Sequence, residues 1–160
     1  MVTLIGWMEK TMSLADICNR DVVCVDKTES VPHAAQLMRQ HHVGDLIITE
    51  STSGKTVPIG ILTDRDIVIE VLAKDIEPTS VSIEDIMSRF LATADQSDTV
   101  DKVIEKMFHA GVRRIPIVNQ KIGLVGIVRM EDLIQSIANQ IKNITRILYI
   151  EQQHEKRLRD

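Results

Sequence analysis

Two stretches decide the fold: Gly60-Ile61-Leu62-Thr63-Asp64-Arg65-Asp66 and Gly126-Ile127-Val128-Arg129-Met130-Glu131-Asp132. Each closes an apolar strand-like run, Ile59–Thr63 or Val125–Arg129, and leads into an apolar helical pattern. Working backwards, each is preceded by a turn and another strand-like run, Leu46–Thr49 or Ile115–Val118. Before that come Ser30-Val31-Pro32-His33-Ala34-Ala35-Gln36-Leu37-Met38 and Thr99-Val100-Asp101-Lys102-Val103-Ile104-Glu105-Lys106-Met107. Val31, Ala34, Ala35 and Met38, like Val100, Val103, Ile104 and Met107, keep the i, i+3, i+4, i+7 spacing of one buried helix face. Ser30 and Thr99 stand where an N-cap is required.

The correspondence extends to the start of each unit. Ser13-Leu14-Ala15-Asp16-Ile17 reappears as Ser82-Ile83-Glu84-Asp85-Ile86, a Ser-x-x-Asp capping pattern opening a short helix. The offset is 69 residues from Ile17 to Ile86 and from Val43 to Val112, and 66 from Gly60 to Gly126 and from Asp66 to Asp132. The second copy has a turn three residues shorter. Internal repetition at this scale outranks any single motif. The chain divides into an N-terminal segment 1–12, repeats 13–75 and 76–138, and a helical tail 139–160.

Each repeat reads strand–helix–strand–strand–helix, and alone it would bury too little apolar surface. The expectation is an α+β fold of two βαββα repeats packed sheet to sheet with pseudo-two-fold symmetry, plus a C-terminal helix. The strand runs lack period-2 alternation, as strands covered on both faces do.

Composition bounds the function. The chain has 160 residues, 44% hydrophobic and 26% charged, so a packed core is affordable. A net charge of −4 and 2% aromatics oppose a nucleic-acid surface, which needs a basic face and stacking rings. Cys18 and Cys24 lack CxxC spacing and read as reduced. Residues 1–13 carry no basic n-region, and no apolar run reaches about 18 residues, so the reading is cytoplasmic with no membrane association. His41 and His42 point about 100° apart on a helix and have no suitably spaced partner, so no metal site is expected. Neither a P-loop nor a nucleophile signature occurs, and no catalytic residues are assigned.

The GxxTxxD signature of Gly60–Asp66, its partial copy at Gly126–Asp132 and the unit Val112–Val118 resemble those of CBS domains, twice over and across most of the chain. The resemblance implies a paired-repeat (Bateman) module, often dimeric, that binds adenosine-containing ligands between its repeats. The expected ligand is AMP, ATP or a related adenosine compound, and the downstream protein partner is not legible.

The residue chemistry agrees with that implication. Asp66 can accept hydrogen bonds from both ribose hydroxyls. Thr63, just before a helix, can present its hydroxyl to a phosphate, and Arg113 and Arg114 offer fork-shaped cationic donors. The same residues have plainer readings: Thr63-x-x-Asp66 is a helix cap, and paired arginines are commonly solvated. By resemblance the sites are cross-assembled, so Thr63 and Asp66 join Ile61, Leu91 and Ala92 at the base, with Val112, Arg113 and Arg114 at base and phosphates. A second cleft would combine Arg129 and Asp132 with Val22, Val23 and the turn Val43-Gly44-Asp45. It departs from the family pattern: Arg129 replaces Thr or Ser, and Gly44-Asp45 stands where the first cleft has Arg113-Arg114. Asp45 would repel a phosphate there, with Arg129 as a partial offset.

In the tail, Ile134, Ile137, Ile141, Ile144 and Leu148 repeat at 3-4-3-4, a short heptad seam. Packing back on its own domain and contact with a partner helix both fit; the reading favours a homodimer. The leading function is a regulatory sensor, against the alternative of a structural dimerisation module with empty clefts.

Overall fold

The computed structural model describes residues 14–121 and 123–159. Ser13 lies outside them, so its capping role is not described. The elements run α1 (Leu14–Ile17), β1 (Cys24–Val25), α2 (Val31–His41), β2 (Asp45–Thr52), β3 (Lys55–Thr63) and α3 (Asp64–Asp66). The last continues as a wider-wound stretch, Ile67–Leu72, before α4 (Ile83–Ile86) opens the second copy. There follow β4 (Ala94–Asp95), α5 (Val100–Ala110), β5 (Arg114–Asn119), β6 (Gly123–Arg129) and α6 (Met130–Arg159). Both copies carry the expected strand–helix–strand–strand–helix order.

Local sequence explains the helix limits. The Ser30 side chain accepts from the His33 N–H, and Thr99 accepts from Lys102 N–H, both at 3.3 Å. At their C-termini α2 and α5 end on left-handed residues, His42 (φ 53°) and Gly111 (φ 64°). Glycine takes that conformation freely, whereas the histidine carries a steric cost. In α4, Ser82 and Asp85 complete the capping box that their spacing predicts.

The buried stripe is narrower than the periodicity suggests. Val31, Ala34 and Met38 are buried, as are Val100, Val103 and Met107, but Ala35 and Ile104 are exposed. The predicted four-residue faces are therefore corrected to three.

Each half is a three-stranded sheet, with β1 parallel and β3 antiparallel to β2, and likewise β4 and β6 about β5. The halves join at one parallel pair, Thr56–Gly123, giving a single six-stranded order β1-β2-β3-β6-β5-β4. Thus the two sheets meet with their edges continuous. Leu46, Ile47 and Ile48 are all fully buried although successive side chains point to opposite faces, so β2 is covered on both.

Two apolar clusters form the core, and each borrows from the other repeat. Leu14 and Ile17 of α1 pack with Val100, Val103, Met107, Ile115 and Leu133. Ile83 and Met87, at α4, pack with Val25, Ala34, Met38, Leu46 and Leu62. The opening helices are exchanged, so each cluster needs residues from both halves of the sequence.

Candidate functional site

The exchange of opening helices draws the chain after α4 across the end of β3. There Ile61, Thr63, Asp66, Leu91, Ala92, Val112, Arg113 and Arg114 line one cleft of about 220 Å³. All eight residues assigned to the main cleft from sequence are brought together. Ser88 and Phe90 also line it. Phe90, 72% exposed, supplies an aromatic ring that the sequence reading passed over. Its position beside Leu91 was the available signal.

The polar end is organised by Thr63 and Asp66. Asp66 Oδ2 accepts from the Thr63 backbone N–H at 2.8 Å and from the Thr63 hydroxyl at 2.7 Å. The Asp66 N–H in turn donates to Thr63 Oγ1 at 3.2 Å, closing a capping box. The cap reading of Thr63-x-x-Asp66 is therefore realised. Only one carboxylate oxygen is used by the box, and the carboxylate is fixed in orientation by it. The hydroxyl proton expected to face a phosphate is instead engaged with Asp66. Thr63 fixes the Asp66 carboxylate, and Arg113 and Arg114 are the cationic side chains that line the cleft.

Those arginines differ. Arg113 is exposed and its carbonyl accepts from Met130 N–H at 2.9 Å, anchoring the turn before β5. Arg114 is partly buried, and its Nε lies 3.1 Å from Asp45 Oδ1. The sequence reading put Asp45 in the second cleft with Arg129; the structure joins it to both. Arg129 Nε stands 3.5 Å from Asp45 Oδ1 and Arg129 Nη2 3.5 Å from Oδ2. Cross-strand register sets Arg114 opposite Arg129, and the one carboxylate of Asp45 meets both, a relation that sequence spacing does not encode.

Around the second predicted cleft, Val22, Val23, Val43, Arg129 and Asp132 are all partly buried. Val23 and Val43 pack on the cluster of Val25, Ala34, Leu46 and Ile83, and the Val23 carbonyl accepts from Ile47 N–H at 3.0 Å. Arg129 N–H donates to Asp132 Oδ2 at 2.9 Å, half of the box seen at Thr63 and Asp66, since Arg129 has no hydroxyl to answer with. The Gly44 carbonyl accepts from the Asp64 N–H at 3.1 Å, which draws a further carboxylate close to this turn. The Arg129 guanidinium is thus paired with Asp45, while its backbone N–H is held by Asp132.

A larger apolar cavity, about 510 Å³, lies between α5 and the start of α6, lined by Ile104, Met107, Phe108, Met130, Leu133 and Ile134. Along α6, Ile134, Ile137, Ile141, Ile144 and Leu148 are 44–60% exposed. The first residue of the seam, Ile134, borders that cavity, and the rest of the seam stays about half exposed. Among the described residues, no group of three or more His, Cys, Asp or Glu side chains is arranged to hold a metal ion. No helix among them is long and apolar enough to cross a membrane.

Comparison with known proteins agrees with this architecture. The model of the CBS domain family matches residues 14–73 and 83–139. An uncharacterized protein of Methanopyrus kandleri is 36% identical over 79% of this chain, which spans 63% of that protein's length. Hypoxic response protein 1 of Mycobacterium tuberculosis is 34% identical over 74% of this chain and 80% of its own. A solved structure of Hypoxic Response Protein I, with two coordinated zinc ions, superposes with a TM-score of 0.65 at 32% identity, covering 77% of this chain and 97% of that one. The CBS domain pair of protein MJ0100, in complex with 5′-methylthioadenosine and S-adenosyl-L-methionine, gives a TM-score of 0.69 at 28% identity, covering 81% and 98%.

Proposed function

The chain belongs to the CBS domain family, as two tandem repeats, and on that premise we propose that it is a non-catalytic regulatory module sensing an adenosine-containing compound. The observation that carries the reading is one cleft joining an apolar slot (Ile61, Leu91, Ala92, Val112) to an oriented carboxylate (Asp66) and two arginines. An adenosine needs those parts: a flat apolar seat for the base and an acceptor for the ribose hydroxyls. The adenosine compounds held by the MJ0100 pair support the ligand class.

AMP, ATP and their relatives are the candidate ligands, and the Thr63/Asp66 cleft fills before the one at Arg129 and Asp132. In the second cleft the single guanidinium, that of Arg129, is already paired with Asp45, and Arg113 has no counterpart there. The repeats 13–75 and 76–138 act as one unit because the exchanged helices α1 and α4 complete each other's cores. Ligand that favours one relative arrangement of the repeats shifts the population towards it, which is how binding becomes a signal. The exposed α6 seam is the proposed homodimer contact.

The deciding experiment is a thermal-shift panel of adenosine, AMP, ATP, 5′-methylthioadenosine and S-adenosylmethionine, followed by calorimetry. A compound at a hundred times its Kd adds about 2.7 kcal/mol to the folded state. A folded protein that none of the panel stabilises leaves the structural dimerisation module as the better reading.

A further inference from the structure

We propose that Asp45 is the charge-selecting residue of the adenosine cleft: a counter-ion that masks Arg114 and biases the cleft against polyphosphates. The proposal rests on reading that cleft as an adenosine site. It takes the regulation of that site one step further, to the charge of the ligand admitted.

The geometry is unusual for this chain. Asp45 is the one charged residue that is buried as a whole among the described residues, and only 4% of its side chain is exposed. It begins β2 at the place where Arg114 begins β5, 69 residues on. Asp45 lies opposite Thr63 in one half, and Arg114 lies opposite Arg129 in the other. At these matched positions one half carries an acid and a hydroxyl, and the other carries two guanidinium groups. Like charges directly opposite on paired strands repel. The single carboxylate, 3.1 Å from one arginine and 3.5 Å from the other, offsets that repulsion.

A phosphate entering the cleft meets an Arg114 that already has an anion behind it. Its bonds to the Nη groups of Arg114 are weakened because Asp45, at Nε, already offsets that charge. An adenosine compound without phosphate is indifferent to this offset, since its contacts are the apolar slot and Asp66. Arg129, outside this cleft, shares the carboxylate and so lessens its hold on Arg114. Removing Asp45 and removing Arg129 should therefore move phosphate preference in opposite directions.

The test is the ratio of ATP to adenosine affinity by titration calorimetry. Asp45→Asn should raise the preference for ATP roughly ten- to a hundredfold, the worth of one released charged hydrogen bond. Arg129→Thr should lower it roughly two- to fivefold. In an Arg114→Ala background Asp45→Asn should have no effect, because a direct mask needs its partner. Equal changes for adenosine and ATP, or an Asp45→Asn effect that survives without Arg114, would overturn the proposal. If Asp45→Asn does not fold by circular dichroism, Arg129→Thr decides alone, and an unchanged ratio counts against the mask. If no adenosine compound binds any variant, the reading of the cleft fails separately. Inorganic tripolyphosphate then probes the mask: it should raise the melting temperature of Asp45→Asn more than that of the unsubstituted protein, and an equal rise refutes it.

Discussion

The backbones of Ile61 and Ser88 exchange two hydrogen bonds, Ile61 N–H to the Ser88 carbonyl at 3.1 Å and Ser88 N–H to the Ile61 carbonyl at 2.9 Å. Asn19 and Ile127 make the same exchange at 2.9 Å in both directions. These two bridges tie the chain entering each repeat to the signature strand of the other. They also bring Leu91 and Ala92 to the Thr63 end of β3, and so build the cleft.

The crossings explain the signature glycines. A Cβ on Gly126 would stand 2.4 Å from Cys18 Sγ and 2.6 Å from the Asn19 carbonyl oxygen. On Gly60 the nearest atoms would be Met87 Sδ at 2.8 Å and the Ser88 oxygen at 3.0 Å. Gly126→Ala should destabilise the protein by about 2–3 kcal/mol and Gly60→Ala by less, since a methionine end can move and a bridged backbone cannot. Urea denaturation midpoints measure both; an unchanged midpoint for Gly126→Ala would show that the crossing is looser than described.

Asp66→Ala should weaken binding of the adenosine compound ten- to a hundredfold by removing about 1.5–3 kcal/mol of charged hydrogen bonding. It also opens the capping box, costing roughly 0.5–2 kcal/mol of stability. Thr63→Ala opens the same box but keeps the carboxylate, so its affinity loss should be smaller at similar stability. Calorimetry and denaturation on both variants separate the roles. Equal affinity losses would make the carboxylate a structural cap only.

Truncation after Gln140 removes Ile141, Ile144 and Leu148, each more than half exposed on α6. Leu133, which seats the helix on its own repeat, remains. The expected outcome is a folded protein whose mass by light scattering shifts from dimer towards monomer. A truncated chain that stays fully dimeric would move the contact to the apolar surface between α5 and the start of α6.

Acid should unfold this protein through Asp98. Hydrogen bonds from Lys102 at 2.5 Å and Lys106 at 2.8 Å hold its carboxyl well below the ordinary value of 3.8. Asp26, Asp85 and Asp95 are lowered too, by the hydroxyls and backbone N–H groups of Thr28, Ser82 and Ser97. A carboxyl whose pKa is lower in the folded state adds stability above its unfolded pKa and loses it as pH falls through the folded one. Urea midpoints should therefore drop from about pH 5 downwards. Asp98→Asn should be less stable at pH 7, with the gap closing in acid. A gap constant from pH 7 to pH 3 would exclude this linkage.

Much of this was legible in one dimension. Helix faces, caps and strand order follow from side-chain spacing, because a helix turn and a strand pleat are local geometry. Ser30 and Thr99 cap where the spacing says, and Ser82 with Asp85 forms the box it spells. The repeat itself is a sequence fact, and the resemblance it carries gathered eight residues that do line one cleft. Spacing overreached at Ala35 and Ile104, where periodicity gives a direction but cannot say how wide the covering surface is.

What only the tertiary structure decided are the relations between residues far apart in the chain. Periodicity cannot show that α1 completes the second core and α4 the first, since each short helix is apolar in the same way and fits either partner. Nor can it reveal that the Thr63 hydroxyl turns inward to Asp66, because hydroxyl orientation is set by the nearest acceptor after folding. The pairing of Asp45 with both Arg114 and Arg129 depends on the register of β5 on β6 and on how the two halves meet. Sequence supplied the charges; their sharing is a consequence of distance, and distance exists only once the chain has closed on itself.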